Sequence, residues 1–254
     1  MDFSKIIIDG ESSSALRALK EHINTLDKTL SYAKMMEYRT NGMAKDECID
    51  TYYIAYENEK MLSRLWNGWG RHENAIGNFG NFLTLEEARG KGVGGKLLKM
   101  WIDDISARQD SPLGLFCSAG SVELVNLYAK YGFSLAVKNT ITGPLYKPLN
   151  DSPLTFSEFC EKYYTPSDKL YVRKASVEYR HEIDCLLKFA LLNNDVEFGF
   201  EEAKSIEEIL MFKKYGANIL FTKDNKVAGW QILLSDGCVK TQVYPLYNDS
   251  EIIH

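Results

Sequence analysis

Leu83-Thr84-Leu85-Glu86-Glu87-Ala88-Arg89-Gly90-Lys91-Gly92-Val93-Gly94-Gly95-Lys96-Leu97 is the stretch on which the reading of this chain turns. It closes an apolar, strand-like run over residues 75–85 and then sets glycines at 90, 92, 94 and 95. Leu97, Leu98, Trp101, Ile102 and Ile105 follow at helical spacing. A strand feeding a glycine turn that opens a helix is an anion site. Backbone N–H groups at the helix start have no partner inside the helix, and the helix dipole favours negative charge there. Glycines let a phosphate approach the backbone closely. Arg89, Lys91 and Lys96 add positive charge around the turn.

Three phosphate-binding patterns compete for this turn. Gly90, Gly92 and Gly95 satisfy G-x-G-x-x-G. A dinucleotide-binding turn, however, follows directly on its strand, whereas Glu86-Glu87-Ala88-Arg89 intervenes here. Gly90 to Lys96 nearly spells the P-loop, but Leu97 stands where that motif needs a Ser or Thr to hold magnesium. An NTPase is therefore disfavoured. The third pattern, [RQ]-x-x-G-x-[GA], is met without repair by Arg89-Gly90-Lys91-Gly92-Val93-Gly94.

Outward from the turn, the chain reads as alternating strands and helices. Lys5 to Asp9 is a short strand, followed by Ser12, Ser13 and Ser14 as helix caps and a helical pattern that breaks at Asn41-Gly42. Thr51–Tyr56 and Met61–Trp69 form a hairpin around Glu57-Asn58-Glu59-Lys60. After the glycine turn come a short apolar run at Leu113–Cys117 and a helix over Ser121–Tyr131 stopped by Gly132. A strand pair at Phe133–Val137 and Pro144–Leu149 completes the series. The predicted order is β, a long helical region, ββ, β, α, β, α, ββ.

The third pattern, with Leu127-Tyr128-Ala129-Lys130-Tyr131-Gly132-Phe133 and the closing Leu145-Tyr146-Lys147-Pro148-Leu149, resembles the GNAT N-acetyltransferase superfamily over residues 1–150. The resemblance implies an α/β (α+β) fold with a GNAT-like mixed central sheet flanked by helices. It also implies acetyl-CoA as co-substrate and acetyl transfer to a primary amine by direct attack. Backbone groups of Phe82, Leu83 and Thr84 would bind the pantetheine arm and the acetyl oxygen. Amides from Gly90, Lys91, Gly92, Val93, Gly94, Gly95 and Lys96 would hold the pyrophosphate, with Arg89 adding charge. Tyr128 would protonate the coenzyme A sulfur. The superfamily's asparagine seven residues before that tyrosine is replaced by Ser121, which caps the helix equally well.

The residues name no clear general base. His72 and Glu73 precede the central strand, and Glu73 is the catalytic candidate, although a solvated loop suits both. Asn78 and Asn81 could orient an acceptor, and Glu86 and Glu87 read as surface charges. Cys117 reads as a buried structural thiol, since direct transfer needs no nucleophile. Trp66, Trp69, Phe79 and Phe82 read first as core and second as lining for an acceptor.

Asn150-Asp151-Ser152-Pro153 is a linker signal, and residues 151–254 read as a smaller C-terminal α+β unit. A strand at Leu170–Arg173, a helix at Glu178–Leu192, a helical stretch at Ile206–Phe212, a hairpin over Asn218–Leu234 and a strand at Val239–Val243 repeat the order of the first half. No second glycine turn follows. The unit is either an incomplete GNAT-like repeat or a simple appended module.

Composition bounds the partners. The 254 residues carry a formal charge of −5, with 45% hydrophobic and 26% charged side chains, as in ordinary globular chains. Residues 1–150 hold 18 basic and 18 acidic side chains, and residues 151–254 hold 12 and 17. Neither nucleic acid nor an anionic membrane is an expected partner. No run approaches the roughly 20 apolar residues of a membrane span, and Met1-Asp2-Phe3-Ser4-Lys5 lacks a signal-peptide pattern. Five scattered cysteines without a CxxC, and four isolated histidines, point to reduced thiols and no metal site. The expectation is a cytoplasmic enzyme acting on a small-molecule amine, with a homodimer compatible with the reading. The alternatives are a protein or peptide N-acetyltransferase and a non-catalytic acyl-CoA-binding regulator.

Overall fold

The computed structural model describes residues 1–9, 13–26, 33–58, 60–72, 75–150, 152–195, 198, 216–234 and 236–254. The chain divides into two units, Met1–Pro112 and Leu113–His254. The boundary expected near residue 150 falls inside the second unit. The fold class is the expected mixed α+β, and the order of elements through residue 148 is the predicted one.

In the first unit, β1 (Asp2–Ile7), β2 (Cys48–Glu57), β3 (Lys60–Gly70) and β4 (Ile76–Thr84) pair antiparallel in chain order. Between β1 and β2 lie α1 (Ser14–Leu26) and α2 (Ala33–Thr40), and α3 (Val93–Ala107) follows β4. Ser13, one of the serines offered as caps, caps α1: its Oγ accepts from the Leu16 amide at 3.0 Å. Leu16, Leu19 and Ile23 bury the inner face of α1.

Alternation along β2 assigns the helices to opposite faces of the sheet. Tyr52 turns its hydroxyl to the Met36 sulfur of α2 at 3.8 Å. The adjacent Tyr53 donates to Asp104 of α3 at 2.5 Å. The α3 face is sealed by Leu97, Leu98, Trp101 and Ile105, with the Phe79 and Trp101 rings 4.5 Å apart. Each fully buried side chain of this size contributes about 1.5–3 kcal/mol.

The α2 face buries charge instead. Asp50 Oδ1 accepts from Arg39 Nη1 at 2.7 Å and from Trp66 Nε1 at 2.8 Å. The guanidinium carbon lies 5.4 Å from the Trp66 ring centre. Burial disfavours the Arg39 charge, but Asp50 beside it outweighs that penalty and holds the group more firmly protonated than usual.

His22 of α1 is buried on the same side, and burial, with the Arg64 charge second, pushes its imidazole down to about 4. In the unfolded chain it titrates near about 6.5. The unfolded state therefore takes up a proton that the folded state refuses, and stability falls as pH drops from about 6.5 to about 4. Thermal unfolding of His22→Gln across that window should show a shallower loss than wild type. Parallel curves would remove His22 as the titrating group.

The second unit holds β5 (Gly114–Ala119), α4 (Val122–Ala129), β6 (Ser134–Leu135) and β7 (Gly143–Pro148), then α5 (Phe156–Tyr163). It continues with β8 (Lys169–Lys174), α6 (Arg180–Leu192), β9 (Ala217–Phe221), β10 (Val227–Leu233), β11 (Val239–Val243) and β12 (Glu251–Ile253). β7 pairs with both β5 and β6. A separate five-stranded sheet runs β11-β10-β9-β8-β12, with β12 parallel to β8.

Aromatic contacts explain why the linker-like residues near 150 do not mark a unit boundary. Tyr146 of β7 contacts Phe156 and Phe159 of α5 at ring distances of 5.7 and 5.6 Å. Phe159 stacks on Tyr163, and Tyr164 stacks on Phe189 of α6. The helix α5 escaped the sequence reading although Thr155 and Glu158 form a complete capping box at its start. The strand β12 was not foreseen either.

Strands β8, β9, β10 and β11 pair antiparallel in chain order, as β1 to β4 do. A helix follows the first strand and a short 3₁₀ turn follows the fourth in both series. After the first turn, Glu86–Ala88, come the glycines and α3; after the second, Pro245–Tyr247, the chain returns as β12. The helical stretch expected at Ile206–Phe212 lies outside the described residues.

Candidate functional site

The site is built where β4 ends. Leu85 N–H donates to Leu62 C=O at 2.9 Å, and Leu83 faces Arg64 in the next hydrogen-bonded position. The intervening pair, Thr84 with Ser63, is the non-bonded kind, so the Thr84 backbone N–H and C=O turn away from β3. The ladder slips between Arg64 and Trp66, and Asn81 takes a left-handed φ of 51° at that irregularity. Phe82, Leu83 and Thr84 are half-buried at this strand end.

Side chains fasten the strand end. Ser63 Oγ donates to Leu83 C=O at 2.9 Å and lies 2.8 Å from Thr84 Oγ1. Arg89 Nε–H donates to Thr84 C=O at 3.1 Å. The expectation had Arg89 adding charge to a phosphate site; its contact is instead with the strand backbone. Glu87 pairs with Lys60 at 2.6 Å, a surface ion pair beside the turn.

The turn has the backbone its sequence demands. Gly90 and Gly92 both have φ of 73°, and Gly92 caps α3 in the left-handed conformation. Lys96 N–H closes the first helical bond to Gly92 C=O at 3.0 Å. The helix-start amides without a partner in the ladder are therefore those of Val93, Gly94 and Gly95. The Lys96 amide, named among the phosphate donors, is already committed. The Lys96 ammonium lies 5.5 Å from the Phe3 ring centre.

Glycines 94 and 95 differ in what they permit. A Cβ on Gly94 would stand 2.9 Å from Phe82 Cζ and 3.0 Å from Thr84 Oγ1, so its absence lets the helix start press against β4. A Cβ on Gly90, Gly92 or Gly95 would meet nothing within 4 Å. The residues thus form an open cradle of amides, held against a strand end, with the polarity and room an anionic group requires.

That openness makes a discriminating prediction. Gly95→Ala should stabilise α3 by about 0.5–1 kcal/mol, because alanine is the better helix former. The same methyl group stands in the approach to the amides and should weaken the binding of an anion such as inorganic pyrophosphate there about tenfold. Denaturation and calorimetry on the same protein check both signs. Unchanged affinity would move the phosphates elsewhere.

Other predicted residues lie as follows. Ser121 caps α4, its Oγ accepting from Leu124 N–H at 3.4 Å. Tyr128, on α4, is 5% exposed and packs on Phe133 at a ring distance of 5.8 Å. Burial, with Cys117 second, raises its phenol well above the usual value, so it stays protonated. Cys117 is buried, and burial raises its thiol likewise, which suits the structural reading. Asn78, Trp66, Trp69 and Phe79 are buried in the first unit, whereas Phe82 is only half-buried against Gly94. His72 is exposed, and Glu73 lies outside the described residues.

Among the described residues no group of three or more His, Cys, Asp or Glu side chains is placed to hold a metal ion. No described helix is long and apolar enough to cross a membrane.

Neither a family model nor a curated protein matches this chain. Among solved structures, an acyl-CoA N-acyltransferase from Pseudomonas aeruginosa aligns over 57% of this chain and 98% of its own, at 15% identity and a TM-score of 0.43. Escherichia coli ElaA aligns over 58% and 99%, at 14% identity and a TM-score of 0.43. A conserved protein of unknown function from Enterococcus faecalis V583 covers 98% of this chain and 60% of its own, at 11% identity and a TM-score of 0.41. All three alignments stay below a TM-score of 0.5.

Proposed function

We propose that this protein is an acetyl-CoA-dependent N-acetyltransferase that passes the acetyl group from the thioester to a primary amine of a small molecule. The observation that carries the reading is the cradle at the start of α3. Left-handed Gly90 and Gly92, open space above Gly95, and helix-start amides of Val93 to Gly95 meet the fastened end of β4. In this reading the amides hold the coenzyme pyrophosphate. The Phe82–Thr84 edge lies beside the pantetheine arm.

The reaction is direct attack. A neutral amine adds to the thioester carbonyl, the C–S bond breaks, and the departing thiolate takes a proton. Backbone N–H groups at the β4 irregularity would stabilise the developing oxyanion. Tyr128, kept protonated by burial, is the proposed acid. Its assignment rests on its place in the Leu127–Phe133 motif. Glu73 remains the proposed base on its sequence position. We read residues 151–254 as an incomplete GNAT-like repeat that lacks the glycine turn, so one coenzyme should bind per chain.

Calorimetric titration with acetyl-CoA, coenzyme A and magnesium ATP, followed by thiol-release assays over a panel of amines, tests the reading. One molecule of acetyl-CoA bound per chain, with thiol released by some amine, is the expected result. No heat with acetyl-CoA would overturn it. Binding without turnover would favour a regulator, and peptides outpacing small amines would favour a protein acetyltransferase. Tyr128→Phe should lower kcat by about 10²–10³-fold with little change in coenzyme affinity, within the usual range for a lost proton donor. An unchanged kcat would remove Tyr128 from the mechanism.

A further inference from the structure

Resting on that reading of the site, the geometry points to Arg89 as a positioning residue: it holds the Thr84 carbonyl and does not serve as a phosphate charge. Three observations carry this. First, the register of β3 and β4 turns the Thr84 C=O away from β3, so β3 gives it no ladder hydrogen bond. Second, Arg89 Nε–H supplies that partner at 3.1 Å, closing a loop from the strand end through the 3₁₀ turn to the first residue of the glycine turn. Third, both ends of the tether are anchored. Thr84 is fixed through its Oγ1 by Ser63, which is 1% exposed, and Gly94 admits Phe82 and Thr84 into close contact with the helix start.

The tether fixes how far the amide cradle stands from the strand edge. A coenzyme spans that distance with its pyrophosphate at one end and its pantetheine arm at the other. With the Thr84 C=O held by Arg89, the arm would take the Thr84 N–H and the backbone around Phe82. The strand end then presents a donor to the ligand at Thr84, not an acceptor.

Side-chain length separates the two roles. The Nε of arginine and the Nε2 of glutamine are the same number of bonds from Cα, so Arg89→Gln keeps a donor in place and discards the charge. Arg89→Lys keeps the charge but carries its nitrogen one bond farther out. Arg89→Met discards both.

The experiment measures acetyl-CoA affinity of the three variants by calorimetry at several salt concentrations. Hydrogen exchange of the Leu85 to Gly90 amides is followed in the ligand-free proteins. If Arg89 positions, Arg89→Gln stays within about threefold of wild type with the same salt dependence, while Arg89→Lys and Arg89→Met lose about tenfold, the effect of one lost hydrogen bond to an ordered group. Exchange should quicken in the lysine and methionine variants and not in the glutamine variant. Wild-type affinity in Arg89→Lys, with a loss and a flattened salt dependence in Arg89→Gln, would overturn the proposal and make Arg89 a phosphate ligand. Unchanged affinity in all three would overturn it as well. A wild-type protein that binds no acetyl-CoA would instead bring down the reading of the site, and the exchange pattern would still decide whether the tether holds.

Discussion

Gly92→Asp should abolish acetyl-CoA binding, with a loss of at least about 100-fold, while leaving the fold nearly intact. Gly92 caps α3 with a φ of 73°. Aspartate tolerates the left-handed region better than most side chains. A Cβ there meets nothing within 4 Å, so no protein atom is displaced. The carboxylate would instead stand among the amides proposed for the pyrophosphate, where it repels the phosphates and competes for their donors. Gly92→Asn is the control: it has the same shape and backbone tolerance without charge, and it should lose much less. Calorimetry gives both affinities, and circular dichroism confirms the fold. Equal losses in the two variants would assign the effect to bulk. Retained affinity in Gly92→Asp would displace the coenzyme from this turn.

Asp50→Ala should cost about 3–5 kcal/mol of stability, a large share of the margin of an ordinary domain. The loss arises because Asp50 Oδ1 is the shared acceptor for Arg39 Nη1 and Trp66 Nε1. Arg39 is 0% exposed, so the variant leaves a guanidinium in the interior without its counter-charge. The pair as a whole is worth much less than that. Asp50→Leu combined with Arg39→Met removes both charges and should recover most of the loss. Denaturant unfolding of the single and double variants separates the two quantities. A single-variant cost below about 1 kcal/mol would mean that the guanidinium reaches water.

Much of the first unit and of the cradle was legible before any coordinates. The glycines at 90, 92, 94 and 95 prescribe a turn because a left-handed cap and a close helix–strand approach require missing Cβ atoms. The spacing of Leu97, Leu98, Trp101, Ile102 and Ile105 announces one apolar face of α3; all but Ile102 are buried, and Val93 is buried with them. Ser121 reads as a cap because capping is a contact over three residues. The Thr155 and Glu158 box is equally local and was open to the same reasoning.

What stayed hidden has one physical character. Arg39, Asp50 and Trp66 are ordinary polar and aromatic positions until α2, β2 and β3 bring them onto one face. Arg89 shows no backbone partner until β4 presents it with the Thr84 carbonyl. Residues near 150 look like a linker until Tyr146 meets Phe156 and Phe159. Backbone preference, periodicity and capping act over a few residues and are written in the chain itself. The partner of a buried charge, the aim of a long side chain and the edge of a folding unit depend on which surfaces meet, and folding alone supplies that.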